Sequence, residues 1–379
     1  MAINNCRVCE NELFKKPILQ FKNMPKSAQN FPDENSLLED EGTDLDVYQC
    51  SGCGLVQLNC EPVPYYKEVI RASAFSEEMK EFRIKQFDEF VKEYSLEHKK
   101  VIEIGCGKGE YLALMKQSGA DAYGTEYSPE SSLHCVGEGL NVESIYIEDE
   151  NCDLHDAPFD AFFIMNFFEH LPDPNTVLRG IYNNLSDDGI GLVEVPNFNM
   201  ILEKNLFSEF IADHLFYFTK ETLTSTLERN GFEIIDCKEI WHDYIISATI
   251  RKRKKIDISR FDDHQMKIKR EINDYIYSFD QRPVAVWGAG HQSLAVLSLT
   301  EVSNRVCYVV DDALFKQGKY TPATHVPIVS SDMITKQPPA AIIVMAASYS
   351  DEVSKKVLEN FDENIGLSIL RDDGLEIIR

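Results

Sequence analysis

The sequence predicts an α/β chain in which a cysteine-rich N-terminal module precedes two strand–glycine–helix units. Three observations carry this. Two Cys-x-x-Cys pairs, Cys6 with Cys9 and Cys50 with Cys53, stand near the start of the chain. An apolar run, Val101–Ile104, passes straight into glycines at 105, 107 and 109, and a second run, Val284–Trp287, passes into Gly288 and Gly290. An apolar strand ending in a glycine turn and followed by an amphipathic helix is the opening of a Rossmann-like unit. At 379 residues the chain also exceeds one ordinary core. The expected organisation is a zinc-binding module over residues 1–68, a Rossmann-like domain over 69–250 and a Rossmann-like α/β domain over 251–379.

Charge narrows the partners. With 38 Lys and Arg against 63 Asp and Glu the net charge is -25, so nucleic acid meets a repulsive field. The one dense basic run, Arg251 to Lys255, lies between two periodic segments and reads as a solvated linker. No apolar run reaches the length of a membrane span, and the start MAINNCRVCE lacks a basic segment followed by an apolar one. The expectation is a cytoplasmic protein acting on a small molecule, with neither nucleic acid nor membrane as partner.

Ten cysteines without a secretion signal point to thiols used as ligands or as small core residues. In each Cys-x-x-Cys pair the two-residue spacer lets both sulfurs converge on one soft divalent ion. Cys6, Cys9, Cys50 and Cys53 are therefore read as zinc ligands, and four thiolates leave no open coordination position. The metal should be structural, holding a segment too small to bury a stable core. The intervening loop, which contains Met24 to Phe31, is long enough to fold over a neighbouring site. The remaining cysteines, 60, 106, 135, 152, 237 and 307, read as packing residues.

In the first glycine unit, Gly105, Gly107 and Gly109 let the backbone turn sharply and leave room for a ligand at the carboxyl end of the strand. A dinucleotide could use such a turn. Two carboxylates tip the choice: Glu103 within the strand, and Glu126 at the end of the next strand, Ala122–Glu126, where it would take ribose hydroxyls. This ExGxGxG run, followed about seventeen residues on by an acidic strand end, resembles motifs I and II of class I methyltransferases. The resemblance implies S-adenosyl-L-methionine as cofactor, with the glycine loop against its methionine part.

Later strands fit the same plan: Ala161–Met165 as the fourth, Gly189–Val195 as the fifth, and Phe232–Cys237 with Tyr244–Ile250 as a closing antiparallel pair. After the fourth strand comes Asn166-Phe167-Phe168-Glu169-His170-Leu171-Pro172, where the chain leaves the sheet at its ligand-binding face. Asn166 is placed at the cofactor. His170 is placed near the transferring methyl, because the His-Leu-Pro ending resembles the same segment of many methyltransferases. Within Ser208–Phe218, Asp213 precedes His214 among aromatics; a histidine there can act as a general base with the carboxylate setting its tautomer.

The second glycine unit continues into a strand, Val306–Val310, ending at Asp311, the acidic spacing of a dinucleotide domain. It is followed by Thr321-Pro322-Ala323-Thr324-His325-Val326-Pro327-Ile328. The order of these features, two zinc knuckles with CxxCGLVQL, the ExGxGxG domain, the Asp-His-x-x-Tyr-Phe segment and the TPxTHxPI signature, resembles the sugar C-methyltransferases that act on nucleotide-linked 4-keto deoxysugars. The resemblance covers essentially the whole chain. It implies that the last domain binds the nucleotide sugar, through Gly288, Gly290, His291, Asp311, Thr324 and His325, without a redox cofactor. The mechanism expected from these residues is that the ketone acidifies the neighbouring carbon, that His214 oriented by Asp213 removes the proton, and that His170 donates to the oxyanion.

One departure stands out. Family members carry Tyr-x-Glu-His where this chain has Ile211-Ala212-Asp213-His214, so the carboxylate is shortened and the tyrosine is absent. The segment Tyr65–Ser73 does not align with the family's tyrosine-rich one and receives no role. Three other readings stay open at this stage: methylation at oxygen or nitrogen, an NAD(P)-dependent oxidoreductase using the Gly288 loop, and a non-enzymatic zinc-ribbon adaptor.

Overall fold

The computed structural model describes residues 3–29, 31–68, 76–280 and 282–379. The chain divides into two compact units, Met1–Lys254 and Lys255–Arg379. The expected boundary after residue 68 adjoins residues 69–75, which lie outside the described residues, as does Asn30 of the long loop. No helix among the described residues is long and apolar enough to cross a membrane.

The first unit opens with three antiparallel strands, β1 (Leu19–Met24), β2 (Thr43–Gln49) and β3 (Val56–Leu58). A fourth strand, Phe216–Tyr217, is donated from far along the chain and pairs with β3. The N-terminal module thus shares its sheet and an apolar cluster, including Val47, Leu58, Phe210 and Tyr217, with the segment that carries His214.

The main sheet follows. Helix α1 (Glu77–Glu93), capped by Ser76, leads into β4 (Lys100–Ile104), α2 (Glu110–Gln117), β5 (Asp121–Thr125), α3 (Pro129–Gly137) and β6 (Asn141–Glu143). Then come β7 (Phe159–Met165), α4 (Pro174–Asn184), β8 (Leu185–Pro196), α5 (Phe198–Glu203), the donated strand now numbered β9, α6 (Lys220–Arg229), β10 (Phe232–Ile240) and β11 (Ile245–Lys252). Strand order is β10-β11-β8-β7-β4-β5-β6, parallel except for β11, as the closing antiparallel pair predicts. The central strands are apolar on both faces because helices cover both: β7 from Ala161 to Met165 is buried throughout. Arg83 of α1 and Glu194 of β8, both fully buried, pair and fasten the helix to the sheet.

The second unit begins with α7 (Arg260–Tyr277) and runs through β12 (Val284–Trp287), α8 (His291–Leu299), β13 (Val306–Val310), β14 (Ile328–Val329), α9 (Asp332–Lys336), β15 (Ala341–Val344), α10 (Ser350–Asn360), β16 (Gly366–Leu370) and β17 (Leu375–Ile377). Its order, β14-β13-β12-β15-β16-β17, is parallel but for the last strand. Separate apolar clusters cover its two faces, as a Rossmann-like sheet requires.

Candidate active site

The four module cysteines converge. Their sulfurs lie within 4.8 Å of one another, with Cys6–Cys53 at 3.7 Å and Cys9–Cys50 at 3.3 Å. These separations are far beyond a disulfide and close to the edge of a zinc-thiolate tetrahedron, about 3.8 Å. Backbone N–H groups of Gly52 and Cys53 donate to Cys50 Sγ, and Asn11 Nδ2 donates to Cys9 Sγ, the donor set that stabilises thiolates. The site fits a structural zinc with every position filled.

At the end of β4 the chain enters the glycine turn with positive φ at all three expected glycines. Two of them are forced by contact: a Cβ at Gly105 would stand 2.6 Å from the Phe167 ring, and one at Gly109 would stand 2.5 Å from Leu140 Cδ1. Gly107 differs, since nothing lies within 4 Å of its missing Cβ; its side opens on a cleft. Gly105, Gly107, Glu126, Met165, Asn166 and Phe167 line that cleft. A second chamber, lined by Glu126, Tyr127, Ile145, Tyr146 and Phe167, adjoins it.

Glu126 lines both chambers. Its carboxylate accepts the N–H of Gly107 and of Ser128, each at 2.8 Å, tying the glycine turn to the start of α3; burial nevertheless pushes its carboxyl above the usual range. Asn166, at φ 50°, holds a buried Oδ1 that accepts no hydrogen bond. A carboxylate at the end of β5 and an open glycine turn with an orphaned acceptor together fit S-adenosylmethionine. Glu103 sits lower, buried inside β4 at 1% exposure.

Beyond β7 a 3-10 turn, Phe168–His170, carries the second expected feature. His170 Nδ1 donates to the main-chain oxygen of Asp213 across 2.7 Å, and the His170 and His214 rings stand 4.7 Å apart, nearly perpendicular. His170 Nε2 is 3.9 Å from Glu169 Oε1. Burial pushes His170 down to about 4 and, with His170 beside it, His214 down to about 3; the same burial lifts Glu169 to about 8. Both rings are therefore neutral near pH 7. Phe167 links cleft and cluster, its ring 6.3 Å from that of His170.

Two expected roles are corrected by this geometry. The Asp213 carboxylate does not orient His214: Oδ1 accepts from Tyr65 Oη at 2.6 Å and Oδ2 from the N–H of Ala28 at 3.1 Å, while it is the main-chain oxygen that fixes a histidine, His170. Nor can neutral His170 donate to an oxyanion, because its one N–H is spent on Asp213 and Nε2 is an acceptor. The loop that contains Met24 to Phe31 reaches Asp213 through Ser27, whose hydroxyl donates to Tyr65 Oη across 2.9 Å, and through the N–H of Ala28.

In the second unit Asp311 is already engaged. Its oxygens accept from Ala289 N–H at 2.8 Å, Ala313 N–H at 2.9 Å and Lys316 Nζ at 2.8 Å. Burial alone would raise this carboxyl, but those donors hold it below the usual range. A carboxylate spent on its own loop is not the free acid that a dinucleotide ribose needs. Gly288 is required by close packing, since a Cβ would meet Met345 O at 2.6 Å, whereas Gly290 faces open space before His291. Thr324 and His325 belong to a tight turn organised by buried Thr321, whose Oγ1 accepts from Val326 N and bonds Thr324 Oγ1.

Sequence reasoning passed over Glu169, Tyr65, Ser27 and Ala28. Glu169 had a signal, its place directly before His170. Tyr65 had none, since 148 positions separate it from Asp213.

A family model described as a methyltransferase domain matches residues 77–236, and one described as a C-methyltransferase C-terminal domain matches residues 251–369. The chain is 23% identical to C-methyltransferase NovU of Streptomyces niveus, over 94% of each. Over a shorter stretch, 22% of this chain and 37% of the relative, it is 34% identical to a ubiquinone biosynthesis O-methyltransferase of Bordetella avium. Among solved structures, the plantazolicin methyltransferase BpumL in complex with a triazolic desmethylPZN analog and SAH resembles 45% of this chain and 85% of its own, at TM-score 0.38 and 16% identity. The chain carries a methyltransferase domain followed by a C-methyltransferase C-terminal domain, the make-up of an S-adenosylmethionine-dependent C-methyltransferase.

Proposed function

We propose that the acceptor is a carbon beside a ketone on a nucleotide-linked sugar. The observation that carries this reading is the cluster of buried His170 and Asp213 with half-buried His214, joined to the cofactor cleft through Phe167. Methylation at carbon first demands removal of a weakly acidic C–H, which needs a held base and a water-poor site. His214 takes that proton, the ketone oxygen receiving the electron pair as the enolate forms, while the Asp213 carboxylate beside it is held by Tyr65 and Ala28. Gly105, Gly107, Glu126 and Asn166 hold the cofactor; bound there, S-adenosylmethionine supplies an electrophilic methyl group to the carbon that has lost its proton. Gly290, His291, Thr324 and His325 of the second unit are assigned to the nucleotide part, in keeping with the likeness to a C-methyltransferase along the whole chain.

The test is turnover with nucleotide-linked 4-keto deoxysugars, the product read by carbon NMR. A new methyl on a ring carbon, lost in His214→Ala, is the expected result. An O-methyl product would overturn methylation at carbon, and normal turnover by His214→Ala would remove the assignment of that residue.

A further inference from the structure

We propose that Arg7, which stands between Cys6 and Cys9 of the first zinc knuckle, is a positioning residue: its guanidinium holds the turn after β7, and through that turn it places His214. The inference rests on the reading above, which makes His214 the base.

His214 is gripped on both sides by main-chain groups that bond to one short turn. The oxygen of Asp213, directly before it, accepts from His170 Nδ1 at 2.7 Å, and the N–H of Leu215, directly after it, donates to Glu169 O at 2.9 Å. A displacement of Glu169 and His170 therefore displaces His214. The turn itself, Phe168–His170, has little to fix its exit: Leu171 N–H reaches back to Phe168 O only at 3.3 Å, beyond the usual length of such a bond.

Arg7 supplies that fixed point. Its Nη1 donates to Pro172 O, two residues past His170, at 3.1 Å, and its Nη2 donates to Cys60 O at 2.6 Å. The base of the side chain is anchored as well, since Arg7 N–H donates to fully buried Gln57 at 3.0 Å, and Asn175 Nδ2, just beyond the turn, donates to Val8 O at 2.8 Å. Arg7 Nε is buried and donates to nothing, and Glu61 and Asp173 act on the guanidinium only through space. A cation desolvated in this way without an ion pair is costly. What it provides is a rigid planar fork that sets the distance between two carbonyls of separate segments, which the single ammonium of a lysine does not do. Displacing a catalytic group by about 1 Å can cost on the order of 100-fold in rate, so a fork remote from the reacting carbon has leverage on it.

The full, zinc-loaded chain is compared with Arg7→Met, which keeps much of the apolar stem and removes the fork, and with Arg7→Lys, which keeps the charge. With the keto sugar that the parent protein methylates, Arg7→Met should lower kcat about tenfold or more while KM, S-adenosylhomocysteine affinity and zinc content stay within about twofold, and Arg7→Lys should recover part of kcat. A second readout needs no substrate. In protein carrying isotope-labelled histidine, the His170 Nδ1 proton, held on the Asp213 carbonyl, should exchange with water about tenfold faster or more in Arg7→Met, as followed by NMR. Parent-like kcat or parent-like exchange in zinc-loaded Arg7→Met overturns the proposal, and so does a loss of activity that only tracks a loss of zinc. If no keto sugar is methylated, the reading above fails, while the exchange rate still decides whether Arg7 holds the turn.

Discussion

Tyr65 Oη donates to Asp213 Oδ1 across 2.6 Å, so a residue at the end of the N-terminal module is bonded to the carboxylate beside His214. The family pattern places a tyrosine two residues before that carboxylate, where this chain has Ile211; here a phenol reaches the same carboxylate from elsewhere in the sequence. Asp213 keeps only 4% exposure, so the bond acts in a poorly solvated place. Tyr65→Phe removes one hydrogen bond to a buried charge and little volume. Turnover should fall about 10- to 100-fold, the equivalent of roughly 1.5–3 kcal/mol, with S-adenosylhomocysteine affinity unchanged by calorimetry. Unchanged turnover would show that the contact serves only to place the loop.

The same link makes activity depend on a metal far from the chemistry. Ser27 and Ala28 lie between β1 and β2, and β3 pairs directly with β9, next to His214. Removing zinc with a chelator, or replacing Cys50 by Ser, should loosen the knuckles, free Tyr65 and Ala28 from Asp213, and abolish turnover. S-adenosylhomocysteine binding, seated on β4 and β5, should persist. Zinc content, thermal unfolding and binding measured on one sample check this; turnover retained without zinc would separate module from site.

The cofactor cleft was legible because its signals are local. A strand, a glycine turn and a helix occupy consecutive residues, and Glu126 ends the adjacent strand, so spacing alone brings them together. The chemistry of the histidine cluster was only half legible. His170 and His214 announce themselves as residue types, yet their contact depends on the turn after β7 meeting the segment before β9, fixed by Leu215 N–H on Glu169 O at 2.9 Å. The role of Asp213 was misread for the same reason: adjacency in sequence suggests a pair with His214, while the fold turns its carboxylate to Tyr65 and offers His170 only a carbonyl. Side-chain contacts over such sequence separations leave no periodicity to read.

Glu126 offers a sharp test of the cleft. Its two oxygens hold Gly107 N–H and Ser128 N–H, so the residue both shapes the turn and presents a carboxylate between the chambers. Glu126→Ala should weaken S-adenosylhomocysteine about 10- to 100-fold through loss of hydrogen bonds to a charged group. Glu126→Gln, which keeps one acceptor, should lose less. Equal affinity of the alanine variant and the parent protein would move the cofactor away from this cleft.

The second unit has its own pH signature. Asp311 is held below the usual carboxylate range, its burial outweighed by Lys316 and by the N–H groups of Ala313 and Ala289. A carboxyl depressed in the folded state stabilises fully above its unfolded value, about 3.9, and that stability is lost as pH falls through the lower folded value. Asp311→Asn should therefore unfold more easily than the parent protein at pH 7, by about 1–3 kcal/mol, because Lys316 and two N–H groups lose a charged acceptor. The difference should shrink below pH of about 4, as protonation removes the same charge from the parent. Calorimetric unfolding of both proteins across this range checks it. A difference that stays constant down to strongly acidic pH would show that shape, not the charge on Asp311, holds the Gly288 turn.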